Sequence, residues 1–140
     1  MTTESLALQH SIYRTLSNAT ALTSLLGGAG IYSKAPQGQA LPYMTLGQTV
    51  NLDWSTGTDD GTKHDLTLHV WTSAGSAEEV QEIIEAVKTL LHDQPLSLDE
   101  HYLVNLRHEF AEARIDPDGE TMHGIVRYRA VTEPQQQAAA

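Results

Sequence analysis

The chain has 140 residues, with 8 Lys and Arg against 18 Asp and Glu, which gives a formal net charge of −10 at pH 7. This length suits a single domain, and the acidity argues against a general DNA-binding surface, which needs clustered cations. The sequence contains no cysteine, which excludes a disulfide framework and a thiol catalyst.

The sequence also lacks the signals of a membrane or secreted protein. No apolar run is long enough to span a bilayer, and the N-terminus lacks the basic and apolar regions of a signal peptide. We therefore expect a protein that is made and used in a cytosol-like compartment, with no membrane partner. On the simplest interpretation, the negative charge serves solubility.

The first third of the chain predicts helices and then a loop. Residues 4–17 form an amphipathic helix, because apolar side chains recur there every four residues, at Leu8, Ile12 and Leu16. A short second helical turn follows and stops at the two glycines of LTSLLGG. A short strand at residues 31–32 leads into a polar loop that is rich in breakers, KAPQGQALPY.

From Tyr43 the sequence alternates with the period of a strand. The apolar side chains predicted to share one face of this strand are Met44, Leu46, Val50, Leu52 and Trp54. After a polar stretch with two glycines, STGTDDGT, the alternation resumes over residues 63–72. The two strands are predicted to form an antiparallel hairpin with an exposed, mobile tip.

The clearest signal in the sequence is a helix over residues 76–92. Its apolar residues recur at the spacing of one helix face, and they are Val80, Ile83, Ile84, Val87, Leu90 and Leu91. Ser76 is placed to cap the first turn, and Glu79 completes a capping box. A helix with one apolar face needs a flat partner, which the strands have to supply.

A second hairpin follows this helix. Strands are predicted over residues 101–115 and 122–131, with a turn at DPDGE between them. The residues predicted to share one face of the first of these strands are Tyr102, Val104, Leu106, His108 and Phe110. A three-residue turn would place Glu109 opposite Arg127, and Arg107 opposite Arg129. The first pair is favourable, and the second needs an acidic group between the arginines.

These elements predict one α+β domain over residues 1–132, followed by a disordered tail over residues 133–140. The domain is a two-layer sandwich, in which a mainly antiparallel sheet of four or five strands carries the N-terminal and central helices on one face. The other face of the sheet is polar. It is a solvated surface in a monomer, or an interface or ring wall in an oligomer, and the sequence leaves both open.

No pattern of catalytic or metal-binding residues appears in the sequence. The seven histidines form none of the local spacings of a metal site, and there is no nucleophile elbow, phosphate-cradling loop or dinucleotide fingerprint. Asp53, Asp59 and Asp60 could bind a divalent ion, but Asp and Gly are also what an exposed hairpin tip contains. We therefore predict an interaction module without catalytic activity, metal or cofactor.

Three stretches stand out by their order and spacing, and they are APQGQALPYMTLG, LHVWTSAGS and HGIVRYRAVTEP. None of them is a catalytic motif. With the sequence between them, over residues 5–134, they resemble a family of small tail-completion proteins. This family comes from long-tailed, non-contractile bacteriophages and from gene transfer agents with similar tails.

The resemblance implies a tail-terminator-like subunit that assembles as a ring, typically of six, on the end of the finished tail tube. Such a ring stops tube polymerisation and presents a surface to the head-completion or stopper protein. The implied partners are other copies of the chain, the major tail tube protein and the stopper. DNA would pass through the lumen without specific binding, and an acidic ring would repel its backbone. The implied location is the virion tail or neck, assembled in the bacterial cytoplasm.

On this interpretation two groups of residues are candidates for contacts. A ring has head-to-tail contacts, so each subunit needs two different surfaces. The residues of the polar sheet face predicted at a subunit contact or in the lumen are Arg107, Glu109, Arg127 and Arg129. The hairpin-tip residues predicted to touch a neighbouring subunit or the tube are Asp53, Trp54, Asp59 and Asp60.

Two other functions stay open. The chain could be a head-tail adaptor or stopper protein of the same neck, which its position on the particle would distinguish. It could also be a metal-dependent hydrolase built from the scattered histidines, which metal analysis of the purified protein would test.

Overall fold

The computed structural model of the chain describes residues 3–28 and 30–135. Its elements are α1 (Glu4–Ser17), α2 (Thr20–Leu25), β1 (Ile31–Tyr32), β2 (Tyr43–Asp53), β3 (Thr62–Ser73), α3 (Ala77–Leu91), β4 (His101–Ile115) and β5 (Thr121–Pro134). The predicted α+β fold is confirmed. Within the described ranges, no helix has the length and apolar character needed to cross a membrane.

The five strands form one sheet in the order β1-β2-β3-β5-β4. β1 pairs parallel with β2, and all the other neighbouring strands pair antiparallel. The last strand, β5, is therefore inserted between β3 and β4, and α3 crosses over it to connect these two parallel strands. Because β5 has a neighbour on each side and helices above it, most of its side chains are buried.

The bounds of α3 follow from its sequence. Its buried residues are Val80, Ile83, Ile84, Val87 and Leu91, which repeat with the helical period. Ser76 Oγ accepts a hydrogen bond from the backbone N–H of Glu79 at 3.4 Å, as the predicted cap requires. The N–H of Ser76 donates to the carbonyl oxygen of Ser73 rather than to the side chain of Glu79.

The helices pack against one face of the sheet, as predicted. The core contains Leu8, Ile12 and Leu16 of α1 and the buried face of α3, together with alternate residues of the strands, Met44, Leu66, Leu68, Val70, Val126, Tyr128 and Ala130. Each aliphatic side chain buried there contributes roughly 1.5–3 kcal/mol. Gly124 of β5 lets α3 lie close to the sheet, since a Cβ at that position would be 2.9 Å from Cγ2 of Val80.

The predicted faces of β2 are wrong beyond a β-bulge. The register of β2 against β3 shifts between Leu46 and Thr49, so one extra residue enters the strand. Val50, Leu52 and Trp54 were predicted to share the face of Leu46, but they point to the opposite face and are 41%, 49% and 51% exposed. An extra residue turns every following side chain to the other face of the sheet, because the period of a strand is two.

β4 contains two such shifts, one around Val104 and one around Glu109. The prediction placed Tyr102 and Val104 on the same face as Leu106. The structure instead leaves these two side chains 56% and 51% exposed, while Leu106 is buried. β4 is an edge strand, and bulges are a common means of interrupting an exposed edge.

The C-terminal boundary also differs from the prediction. β5 continues through Pro134, so the first two residues of the predicted tail belong to the sheet. The backbone N–H of Gln135 donates to the carbonyl oxygen of Glu100 at 3.0 Å, which ties this end of the chain to the start of β4. The rest of the predicted tail, residues 136–140, lies outside the described residues.

Candidate functional site

The candidate site is the face of the sheet that none of the described helices covers, called the outer face below. It is formed by the odd-numbered residues of β3 and β5 and by the side chains that the bulges turn outward from β2 and β4. Exposed apolar side chains lie among charged ones on it. This is the polar face that the sequence predicted, with more apolar surface than expected.

A pair of arginines lies side by side on the outer face. Arg107 of β4 is directly opposite Arg129 of β5, as predicted. The acidic group that offsets the repulsion between these arginines is Asp93, just after the end of α3. Its Oδ1 lies 3.3 Å from Nε of Arg107. Both side chains are more than half exposed, so this ion pair contributes little stability, about 0–1 kcal/mol.

The predicted pairing of Glu109 with Arg127 is wrong. The second bulge of β4 places Phe110 opposite Arg127 and leaves Glu109 as the extra residue. The guanidinium carbon of Arg127 lies 5.6 Å from the centre of the Phe110 ring, within the range of a cation–π contact. Glu109 still lies near Arg127, since both line the same open groove.

Trp54 brings the two predicted groups of residues together. The guanidinium carbon of Arg129 lies 5.4 Å from the centre of its indole ring, and Nζ of Lys63 lies 5.8 Å from the same ring. Arg129 was predicted on the sheet face and Trp54 on the hairpin tip. The structure places them in one contact that joins β5 to the end of β2.

The tip of the first hairpin, residues 53–61, is shaped by its own hydrogen bonds. The backbone N–H of Trp54 donates to the carbonyl oxygen of Gly61 at 2.9 Å, and that of Thr56 donates to the carbonyl oxygen of Asp59 at 2.8 Å. Hydrogen bonds from the side chain and then the backbone of Ser55 lower the pKa of the Asp53 carboxyl group, whose Oδ1 accepts from the Ser55 N–H at 3.0 Å. Residues 53–60 are all exposed, including the three aspartates.

An open groove of about 370 Å³ runs across the middle of the outer face. Its lining includes Val50, Lys63, Asp65, Thr67, Glu109 and Arg127. In the part of the chain that the structure describes, neither Lys63 nor Arg127 forms a salt bridge. The groove therefore offers cations, carboxylates and apolar surface together, which suits a protein partner better than a small substrate.

A cluster of aromatic and histidine rings occupies the other end of the outer face. Nδ1 of His69 and Nε2 of His123 are 2.8 Å apart, and the rings of His123 and Trp71 are stacked with their centres 3.8 Å apart. Burial lowers the pKa of both histidines. The sequence did not predict this cluster, because His69 and His123 are distant in the chain and meet only through the pairing of β3 with β5.

His64 belongs to the opposite, helix-covered face, with Leu66 and Leu68 of the same strand. Its ring is buried, with Nδ1 2.6 Å from Oδ1 of Asn51 and Nε2 2.9 Å from Oγ1 of Thr132. Because Oδ1 of the amide can only accept, Nδ1 carries the proton and Nε2 accepts from the hydroxyl group. Both nitrogens are satisfied, so the role of this histidine is structural.

The described residues provide no metal site of three or more histidines and carboxylates. His69 and His123 approach each other directly, and the carboxylate next to them, Asp116, lies 3.9 Å from the other nitrogen of His123. The tip aspartates Asp59 and Asp60 are separate from the histidine cluster.

The sequence of the chain is similar to those of known proteins. Residues 10–133 match the family described as tail completion protein gp17. The chain is 30% identical over 88 residues to the tail completion protein gp17 of Bacillus phage SPP1, a match that covers 63% of the chain and 65% of that protein. The chain thus spans less than two thirds of the length of this relative.

A solved structure resembles the chain over nearly its whole length. It is a chain from the virion of a native gene transfer agent particle, and it superposes with a TM-score of 0.83 at 30% sequence identity. The match covers 91% of the present chain and 95% of the other.

Proposed function

The chain belongs to the tail completion protein gp17 family, and we propose that it acts as a tail terminator. In this proposal, copies of the chain assemble as a ring of six on the end of the tail tube. The ring stops polymerisation of the tube and joins the tail to the head-completion or stopper protein. The family is one of structural tail proteins and not of enzymes.

The observation that carries the proposal is the likeness to a chain from an assembled particle. A TM-score of 0.83 with 95% of that chain covered means that strands, helices and connections correspond, rather than a shared sheet alone. At 30% identity the likeness extends beyond the fold to the sequence. This likeness therefore supports a role for the chain as a subunit of a virion.

The outer face of the sheet supports an assembled state. It exposes Val50, Leu52 and Phe110, with 41%, 49% and 39% of their surfaces in contact with solvent. Such exposed apolar side chains, surrounded by charged ones, are typical of protein–protein contacts. A ring would cover part of this surface with a neighbouring subunit.

The two edges of the sheet also differ, as a head-to-tail contact requires. One edge is β1, which has two residues and pairs only with Met44 and Thr45 of β2. The other edge is β4, which has 15 residues. A contact between identical patches would close a dimer, whereas two different surfaces allow a closed ring of more subunits.

Deletion of the gene, followed by electron microscopy of the particles, tests the proposal. Without a terminator we expect tails of excessive length, or separate heads and tails that fail to join. Expression of the intact chain from a second copy of the gene should restore joined particles. Joined particles with tails of normal length in the deletion strain would refute the proposal. Labelling the chain distinguishes a terminator, at the end of the tube, from an adaptor or stopper on the head side.

A further inference from the structure

We propose that the outer face is the docking site for a second copy of the chain, and that it receives the acidic hairpin tip, residues 53–61, of the neighbouring subunit. This inference rests on the proposed ring. It identifies the two surfaces that meet between subunits, and it places the outer face in the contact rather than in the lumen.

The first argument is that charge is segregated in this chain. Five of its 8 Lys and Arg lie on the outer face, and they are Lys63, Arg107, Arg114, Arg127 and Arg129. Of its 18 Asp and Glu, four lie on the strands of this face, Asp65, Glu109, Glu112 and Glu133, and Asp93 and Asp116 reach it at Arg107 and His123. The outer face is therefore close to neutral on a protein whose remaining surface is strongly acidic.

The second argument is that the central cations of this face form no salt bridge with the described residues, although Asp65 and Glu109 line the same groove as Lys63 and Arg127. Of the described residues, none forms a salt bridge with Lys63, Arg127 or Arg129, although carboxylates are abundant elsewhere. These cations lie over the rings of Trp54 and Phe110 instead. Cations gathered beside exposed aromatic rings are a common feature of interface centres, and they attract an acidic partner.

The hairpin tip has the complementary chemistry. It carries three aspartates, Asp53, Asp59 and Asp60, and no lysine or arginine. Its hydrogen bonds hold a compact turn, in which Oγ of Ser55 accepts from the N–H of Gly61 at 3.1 Å. Asp59 and Asp60 line a recess with Glu133 and Pro134 at the end of β5, and no tip residue lines the groove of the outer face, so the tip leaves the groove of its own subunit open.

Two other arrangements fit these charges less well. If the outer face lined the lumen, its cations would bind passing DNA through the phosphates, whereas a conduit needs weak contacts.

The acidic side of α3, with Glu78 and Glu82, lies on the far side of the sandwich from the outer face. A contact between these opposite faces would stack subunits one behind another, which favours an open row over a closed ring.

Paired charge reversals test the proposed contact. Arg127→Glu with Arg129→Glu changes the face, and Asp59→Arg with Asp60→Arg changes the tip. Each double variant should lower the fraction of chains in rings by roughly 10-fold or more, measured by light scattering and electron microscopy, because like charges then face each other. The variant with all four changes should recover rings to within roughly 3-fold of the wild type, because the charges are again complementary.

Two matched controls reverse equal charges elsewhere. Arg14→Glu with Lys34→Glu removes exposed cations outside the outer face, and Glu78→Arg with Glu82→Arg reverses the helix surface. Both should assemble as the wild type does. If the helix reversal abolishes rings while the tip reversal leaves them intact, the tip is not the occupant and the inference is wrong.

A cross-linking experiment gives an independent readout that does not depend on charge. The chain has no cysteine, so Asp60→Cys with Thr67→Cys introduces one defined pair. A short bis-maleimide should link neighbouring subunits into a ladder that ends at the ring size. Asp118→Cys with Thr67→Cys, which uses the other hairpin turn, should give no ladder.

The outcomes separate this inference from the proposed function. If the wild-type chain forms no ring, alone or on tail tubes, the ring is wrong and the inference fails with it. If rings form but survive both charge reversals, or the cross-linked ladder is absent, the docking arrangement alone is overturned. The same holds if the tip reversal leaves rings intact but prevents attachment to the tube, since the occupant is then not a second copy.

Discussion

The guanidinium carbon of Arg129 lies 5.4 Å from the centre of the Trp54 indole ring, on the outer face of the sheet. Trp54 follows β2, and Arg129 belongs to β5, so the contact crosses the intervening β3. Lys63 of β3 approaches the same ring at 5.8 Å. The base of the acidic hairpin tip is thus held against two cations on the outer face of its own subunit.

The first prediction concerns this contact. Trp54→Leu keeps an apolar side chain but removes the ring under the two cations, and it should cost about 0.5–1 kcal/mol of stability. Amide exchange in residues 54–61 should accelerate, because the N–H of Trp54 closes this turn on the carbonyl oxygen of Gly61. Leu52→Ala, an exposed neighbour on the same face, is the control. Unchanged exchange in the tip of Trp54→Leu would show that the contact does not hold it.

The second prediction concerns the tip in assembled particles. Residues 53–60 are exposed in the free subunit, so contact with a neighbour or with the tube should slow their amide exchange. Hydrogen exchange measured on the purified chain and on assembled tails checks this. The turn at residues 116–120, at the opposite end of the sheet, provides the internal comparison. Equal protection of residues 53–61 in both states would contradict a contact role for the tip.

The third prediction concerns the packing of α3 on the sheet. In Gly124→Ala, the new methyl group would lie 2.9 Å from Cγ2 of Val80, which is below ordinary contact distance. Overpacking of this kind costs about 1–3 kcal/mol, measurable by urea unfolding. Gly57→Ala is the matched control, because no atom lies within 4 Å of a Cβ built there. Equal stability of the two variants would mean that α3 shifts without cost.

The fourth prediction concerns pH. Burial lowers the pKa of His64, His69, His108 and His123 below the ordinary value of 6.5. The unfolded chain therefore takes up protons before the folded chain does as the pH falls. The contribution of these four histidines to the free energy of unfolding should be complete above about pH 7. It should decline as the pH falls through 6.5 towards the lowered pKa values. Each unit of lowering corresponds to about 1.4 kcal/mol.

The hydrogen-bonded histidine pair should account for part of this pH dependence. His69→Gln removes one ring of the pair, so the slope of stability against pH between pH 7 and 5 should become shallower. Thr45→Ala, which changes the residue opposite His69 without removing a titrating group, should shift stability equally at every pH. Urea unfolding at several pH values measures both, and an unchanged slope for His69→Gln would contradict the assignment.

The helices and strands could be predicted because their patterns are local. The predicted helix over residues 76–92 is observed as Ala77–Leu91, and the strand over residues 101–115 has the predicted bounds. Helical and strand periods, caps and breakers act within a few residues, so one sequence is enough to read them. The resemblance to tail-completion proteins was likewise carried by short continuous stretches and by their order along the chain.

The faces of two strands could not be predicted, for a specific physical reason. Alternation gave the correct faces of β3, where Leu66, Leu68 and Val70 are buried and no bulge interrupts the pairing. In β2 and β4, bulges add a residue, and a count by two then assigns the wrong face. The position of a bulge depends on the pairing with the neighbouring strand, and the residue pattern within one strand does not contain this information.

The sequence by itself determined the elements, the α+β class and the family of this chain. Only the tertiary structure decided that β5 lies between β3 and β4, which brings His123 to His69 and Arg129 to Trp54. These contacts join residues more than 50 positions apart, and their register depends on single-residue shifts in neighbouring strands. Strand order and register come from packing the whole core at once, so the composition of the outer face follows from the fold and not from any one segment.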